Sequence, residues 1–172
     1  MKLYICEICG DAYIGEERPG DCPFCGAKGN FIKLGAETEP VAEVKTEISE
    51  LSKKNLLETL DLETKANAIY LCMAGQAKEY RIIKMYKRLA KVELEHATIV
   101  TKLLKISIPE IKPEECSSED IENFKKTIEL EDHAIELYKK FAAEATEEHV
   151  RKFFGAIMQA EIGHVDLIKQ FL

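Results

Sequence analysis

Val92-Glu93-Leu94-Glu95-His96 and Ala160-Glu161-Ile162-Gly163-His164 carry one signal twice, 68 residues apart (161 − 93 and 164 − 96). Each sets a carboxylate and an imidazole three positions apart, which is one helical turn on a common face. Glu63 and Glu131 share the offset, as do Tyr70/Tyr138, Leu62/Leu130, Ala66/Ala134, Ala74/Ala142, Ala77/Ala145 and Thr59/Thr127. The C-terminal part of the chain therefore reads as a duplicated helical hairpin. A lone Glu-x-x-His is commonplace. Two of them joined by two further glutamates at matched positions are not.

The 3.6-residue period places these acids on apolar stripes. Leu56, Leu60, Glu63, Ala66, Tyr70 and Ala77 share a face of the first helix, with Met73 or Ala74. Phe124, Ile128, Glu131, Ala134, Tyr138 and Ala145 share a face of the third, with Phe141 or Ala142. The second helix presents Tyr86, Leu89, Glu93, His96, Val100 and Leu103, and the fourth Phe154, Ile157, Glu161, His164, Ile168 and Phe171. Level glutamates on antiparallel neighbours put the hairpin turns at the midpoints, Lys78 and Thr146. Thr146-Glu147-Glu148-His149 reads as a helix-capping sequence. Residues 105–118 carry Pro109 and Pro113 and end in a helix-start signal, Ser117-Ser118-Glu119-Asp120. Extended at about 3.3 Å per residue, that segment can cross a bundle from end to end. A mainly α, ferritin-like four-helix bundle with one long crossover is expected over residues 48–172.

Unpaired carboxylates do not persist in an apolar stripe. A salt-bridge network would need basic partners, and no Lys or Arg falls on these faces. Four carboxylates and two imidazoles are instead the donor set by which carboxylate di-iron and di-manganese bundles are recognised. Each metal would take one terminal glutamate (Glu63 or Glu131) and one histidine (His96 or His164), with Glu93 and Glu161 bridging. Oxygen and imidazole donors suit iron or manganese and leave positions open for an exogenous oxygen ligand. Tyr70 and Tyr138, two turns beyond their glutamates, are either core tyrosines or hydrogen-bond donors to the ligands. His133 and His149 have no duplicate (Lys65 and Arg81 hold those places) and are expected at the solvent. Cys72 and Cys116 are expected to be inert thiols.

The N-terminal residues 1–35 hold Cys6-Glu7-Ile8-Cys9-Gly10 and Cys22-Pro23-Phe24-Cys25-Gly26 among turn-forming glycines and prolines. So small a segment cannot bury enough surface to fold alone, and a metal on four thiolates would supply the missing free energy. A structural zinc site and a one-iron electron-transfer centre both fit. Iron is favoured, because a two-metal site downstream needs electrons delivered singly. Gly10 and Gly26 are expected to let backbone N–H groups turn onto sulfur. Residues 36–47, acidic and containing Pro40, read as an extended linker.

In 172 residues the formal net charge is −7 and the basic residues are scattered, which disfavours nucleic acid and anionic membrane as partners. No apolar run reaches 18 residues, and the start enters directly into a cysteine motif, so a cytoplasmic location is expected.

Together the two parts resemble rubrerythrin with the domain order reversed, over nearly the whole chain. CEICG and CPFCGA (from Cys6 and Cys22) look like a rubredoxin centre. LETKANAIY, VELEH and AEIGH (from Leu62, Val92 and Ala160) look like the family's ligand segments. The resemblance implies a di-iron (Fe–O–Fe type) peroxidase that reduces hydrogen peroxide to water in oxidative-stress defence. Electrons would come from reduced pyridine nucleotide through a separate reductase or rubredoxin. It further implies homodimers or larger assemblies, in which a domain swap lets one chain's cysteine centre serve another's di-iron site. Three places depart from the family. Ala134 stands where an additional carboxylate is usual one turn after Glu131, Lys139 stands where a proline usually follows the third-helix tyrosine, and Asp11 stands where an aromatic commonly follows Cys-Gly. A ferritin-like iron-handling ferroxidase is the alternative, and a di-metal oxygenase is a third reading that would need an apolar substrate pocket.

Overall fold

The computed structural model describes residues 1–35 and 38–172. Four helices run as α1 (Glu50–Gln76), α2 (Tyr80–Leu104), α3 (Asp120–Glu144) and α4 (Glu148–Lys169). The turns within the hairpins centre on Lys78 and Thr146, the midpoints set by level glutamates. Residues 105–119 form the crossover, and the bundle has ferritin-like connectivity. No helix among the described residues is long and apolar enough to cross a membrane.

The stripes face inward as their period requires. Leu56, Leu60, Tyr70 and Met73 of α1 are buried, with Tyr86, Leu89 and Val100 of α2, Phe124, Tyr138 and Phe141 of α3, and Phe154, Ile157 and Ile168 of α4. Burying each large side chain contributes about 1.5–3 kcal/mol. The helix ends are closed locally. Ser49 accepts the amide of Ser52 at the start of α1 (3.3 Å). Lys105, left-handed at φ 56°, lets Ile106 N–H return to the Thr101 carbonyl (3.0 Å) at the end of α2. Thr146 does not cap α4, whose N-cap is Glu147. The Glu147 carboxylate instead reaches α1, accepting from Ser49 N–H and from the Ser52 hydroxyl (2.7 Å).

The N-terminal segment forms a three-stranded antiparallel sheet, β1 (Lys2–Cys6), β2 (Ala12–Gly15) and β3 (Ile32–Leu34), in the order β2-β1-β3. It docks on α2 and α4 of its own chain. Gly26, at φ 72°, lies so near α4 that an added Cβ would stand 3.1 Å from the Ala160 Cβ. Arg88 donates to the carbonyls of Pro23 and Phe24, and Lys152 pairs with Glu7 (3.3 Å). In the stretch expected as an extended linker, Val41 and Ala42 are buried, and Val41 N–H donates to the Glu7 carbonyl (2.7 Å). Ala36 and Glu37 of that stretch lie outside the described residues.

The expectation of two inert thiols is overturned. Cys72 and Cys116 are not thiols but form a disulfide that ties the crossover to α1. The helical period correctly turns Cys72 away from the carboxylate face. It carries no information about which side of the bundle the crossover takes.

The Glu147 contact yields a test. Burial opposes its ionisation, but the Ser49 amide and Ser52 hydroxyl hold its carboxyl down at about 2. A depressed acid stabilises the fold above its unfolded value and loses that contribution as pH falls through its folded value. Glu147→Gln is expected to cost about 1 kcal/mol in urea titrations at pH 7. The difference from wild type should fade from pH 4.5 towards 2; a constant difference would contradict the capping role.

Candidate metal centres

Glu63, Glu93, His96, Glu131, Glu161 and His164 converge midway along the four helices, all buried. His96 Nδ1 faces Glu63 Oε1 at 3.4 Å, Glu93 Oε2 at 3.2 Å and Glu161 Oε1 at 3.2 Å. His164 Nδ1 faces Glu93 Oε1 at 3.4 Å, Glu131 Oε1 at 3.4 Å and Glu161 Oε2 at 2.8 Å. Glu93 and Glu161 thus offer one oxygen to each histidine, whereas Glu63 and Glu131 serve one each. Ligands about 2.1 Å from an octahedral ion stand about 3 Å from one another, which matches this spacing.

Hydrogen bonding leaves the centre of the cluster unsatisfied. Both oxygens of Glu93 and of Glu161, and Nδ1 of both histidines, are buried without a hydrogen-bond partner. Among the described residues no Lys or Arg pairs with any of the six. Orphaned buried donors of this kind fit two metal ions. Without them, burial and then the Glu161 charge raise Glu93 well above its ordinary value, and the same two causes push Glu131 up to about 7. Glu63 is raised chiefly by burial. Burial works against charging the imidazoles, yet Glu63 and Glu161 hold His96 protonated, and Glu93 and Glu161 hold His164. Burial also opposes ionisation of Glu161, but His164 and His96 keep it a carboxylate.

The tyrosines are donors, and they cross between the repeats. Tyr70 donates to Glu131 Oε1 and Tyr138 to Glu63 Oε1, both at 2.6 Å. Burial, then the glutamate each faces, raises both phenols well above their usual value, so they remain neutral donors. Of the unduplicated histidines, His133 is exposed as expected. His149 is half-buried, with Nδ1 3.5 Å from the Thr46 hydroxyl, and burial lowers its pKa.

A cleft of about 110 Å³ enters the pocket between α1 and α3. It is walled by Leu62, Ala66, Ile69, Leu130 and Ala134, with Lys65, His133 and Glu114 at its rim. The absence of a carboxylate at Ala134 helps to keep it open. Glu114, on the crossover, is the site residue that sequence reasoning missed, because no period or repeat relates that segment to the helices.

The second cluster is the four buried cysteines. Cys6 and Cys25 sulfurs stand 3.7 Å apart and Cys9 and Cys22 sulfurs 3.8 Å. Four sulfurs about 2.3 Å from a tetrahedral ion would be about 3.8 Å from one another. The knuckle glycines do not turn their own amides onto sulfur: Gly10 and Gly26 N–H return to the Cys6 and Cys22 carbonyls, and Asp11 N–H approaches Cys9 Sγ (3.5 Å). Their positive φ values, 86° and 72°, are what the knuckles require. The two clusters are in contact. His96 Nε2 lies 2.8 Å from the Cys25 carbonyl, which can only accept, so Nε2 carries the proton and Nδ1 is left for a metal.

A ferritin-like bundle with a carboxylate–histidine pocket and a four-cysteine knuckle pair defines a non-haem metalloprotein of two centres. The family model described as Rubrerythrin matches residues 54–172, and the chain belongs to the rubrerythrin family. The cysteine segment precedes the bundle, in the reverse order. Reverse rubrerythrin-1 of Clostridium acetobutylicum is 37% identical over 113 residues, an alignment that covers 60% of this chain and 62% of that relative. The match thus spans less than two thirds of the relative's length. Membership implies a di-iron site in the bundle.

Proton linkage gives this pocket an unusual pH signature. In the metal-free protein Glu131 binds its proton up to about pH 7, whereas the unfolded chain releases it near 4.5. The folded state then holds more protons, so stability falls as pH rises from 4.5 through 7. The raised imidazoles act in the same direction above 6.5. Metal bound there would displace these protons and be held more tightly as pH rises. Calorimetry of the metal-free chain should show a melting temperature that falls from pH 5 to 8, and of the metal-loaded chain one that does not. Parallel slopes would contradict the assignment.

Proposed function

We propose that this chain is a rubrerythrin-like peroxidase that reduces hydrogen peroxide to water at the bundle pocket. Its electrons would pass singly through a one-iron centre on Cys6, Cys9, Cys22 and Cys25. The single observation that carries the reading is the ring of His96, whose Nδ1 faces three pocket carboxylates while Nε2 donates to the Cys25 carbonyl at 2.8 Å. One side chain thus joins the thiolate cluster to the pocket through a few covalent bonds and one hydrogen bond. The reaction consumes two electrons and two protons per peroxide and yields two waters.

Two iron ions, held by the six residues named, would supply both electrons and Lewis acidity. Glu93 and Glu161 would each serve both ions, and Glu63 and Glu131 one each. Tyr138 and Tyr70 fix the orientation of those terminal carboxylates by donating from Oη. His96 is held in one tautomer by Cys25. The cleft supports a small substrate: about 110 Å³ has room for roughly three waters, and it is too small for an extended organic molecule. The donor of electrons would be a reductase fed by pyridine nucleotide, or a rubredoxin. Because both clusters meet within one chain, a dimer, although proposed, need not be domain-swapped to bring them together.

An iron-handling reading is favoured by one observation, Ala134, which leaves the pocket with the six-donor set alone. In that reading the cysteine centre needs no redox role. Stopped-flow mixing of the reduced protein with peroxide separates the two. The peroxidase reading predicts re-oxidation far faster than that of free ferrous iron, with the visible absorption of the cysteine centre returning in the same reaction. Tyr138→Phe, which removes one buried hydrogen bond, should slow it roughly tenfold. Re-oxidation no faster than that of free ferrous iron, or a colourless zinc-loaded cysteine centre, would refute the peroxidase reading.

A further inference from the structure

The crossover is attached in an unusual way. Between residues 107 and 116 no hydrogen bond or ion pair joins it to the rest of the described residues. Two further clefts, of about 380 and 420 Å³, lie between it and α1. The Cys72–Cys116 disulfide, both halves partly exposed, is therefore its one strong attachment along this stretch. Glu114 lies two residues before Cys116 and stands at the rim of the cleft that leads to the carboxylate pocket, with Lys65 and His133.

We propose that this cleft is the entrance by which small ligands reach the pocket, and that the Cys72–Cys116 disulfide sets its width by holding Glu114 at the rim. The inference rests on the reading of the pocket as a metal site. With the disulfide closed, the crossover is pinned and the Glu114 side chain narrows the approach between α1 and α3. When it is open, no hydrogen bond or ion pair among the described residues retains residues 107–116, and the rim recedes. Opening is a thiol–disulfide exchange. A dithiol gives two electrons and two protons, the S–S bond of Cys72–Cys116 breaks to two thiols, and the dithiol becomes a disulfide. Closing by hydrogen peroxide removes two electrons and two protons from the thiols and releases two waters. The entrance is thus coupled to thiol redox state as well as to the bundle's own chemistry.

Azide entry to the iron-loaded ferric protein, followed by its absorption band in stopped flow, tests the proposal without turnover. The Cys72→Ser/Cys116→Ser variant should raise the on-rate and the off-rate together, by roughly tenfold, with Kd unchanged. Glu114→Ala with the disulfide intact should raise both rates as well. Ala134→Leu, which fills the cleft, should lower them. A gate moves both rates, whereas damage to the pocket moves Kd. Metal-loaded protein whose azide rates ignore the disulfide and Glu114 overturns the gate alone. A chain that retains no iron in the bundle overturns the gate and the peroxidase reading together. Alkylation and mass measurement that find Cys72 and Cys116 as free thiols in the air-purified protein also overturn the gate.

Discussion

Four carboxylates cannot be taken out of water together unless something positive goes with them, and that constraint organises the whole bundle. Glu63, Glu93, Glu131 and Glu161 are each 4% exposed or less. Without metal, the positive charge that the described residues offer them is that of two imidazoles and whatever protons the acids retain, and burial, then the Glu161 charge, drives Glu93 and Glu131 upward. The duplicated hairpin places the four acids level with one another, and Tyr70 and Tyr138 tie each terminal carboxylate to the opposite repeat. Stability of the fold and affinity for metal would therefore be linked.

His96 couples this cluster to the cysteine knuckles. A close approach is possible because Gly26 has no side chain where α4 presents Ala160, and because Arg88 clamps the carbonyls of Pro23 and Phe24. The small sheet gains from this contact too. Cys6, Ile8 and Cys25 lie in one continuous core with Phe153, Phe154 and Ile157 of the bundle, so the segment does not depend on metal alone for its order.

Much of this is legible in the residues. The offset between repeats places the acids, the 3.6-residue period turns them inward, and the hairpin midpoints fall where the chain reverses. Knuckle spacing brings the four cysteines together. What is not legible depends on contacts between segments that no period relates. The crossover side on which Cys116 meets Cys72 is one such case. Glu114 at the cleft rim is another, and a third is Glu147, whose position suggests a cap for its own helix but which binds the start of α1. The docking of the cysteine sheet onto its own bundle likewise follows from Gly26 and Arg88 meeting surfaces far away in the chain. The linker composition of residues 36–47 conceals Val41 and Ala42, whose burial depends on a surface contributed by the sheet and bundle.

Neutralisation of the bundle's buried acids by metal ions is tested most directly in crystals grown with iron. Anomalous-difference maps at the iron edge should show two peaks a few ångströms apart, one beside His96 Nδ1 and one beside His164 Nδ1, with a third among the four sulfurs. A pocket without anomalous density, its glutamates protonated or turned away from one another, would contradict the account.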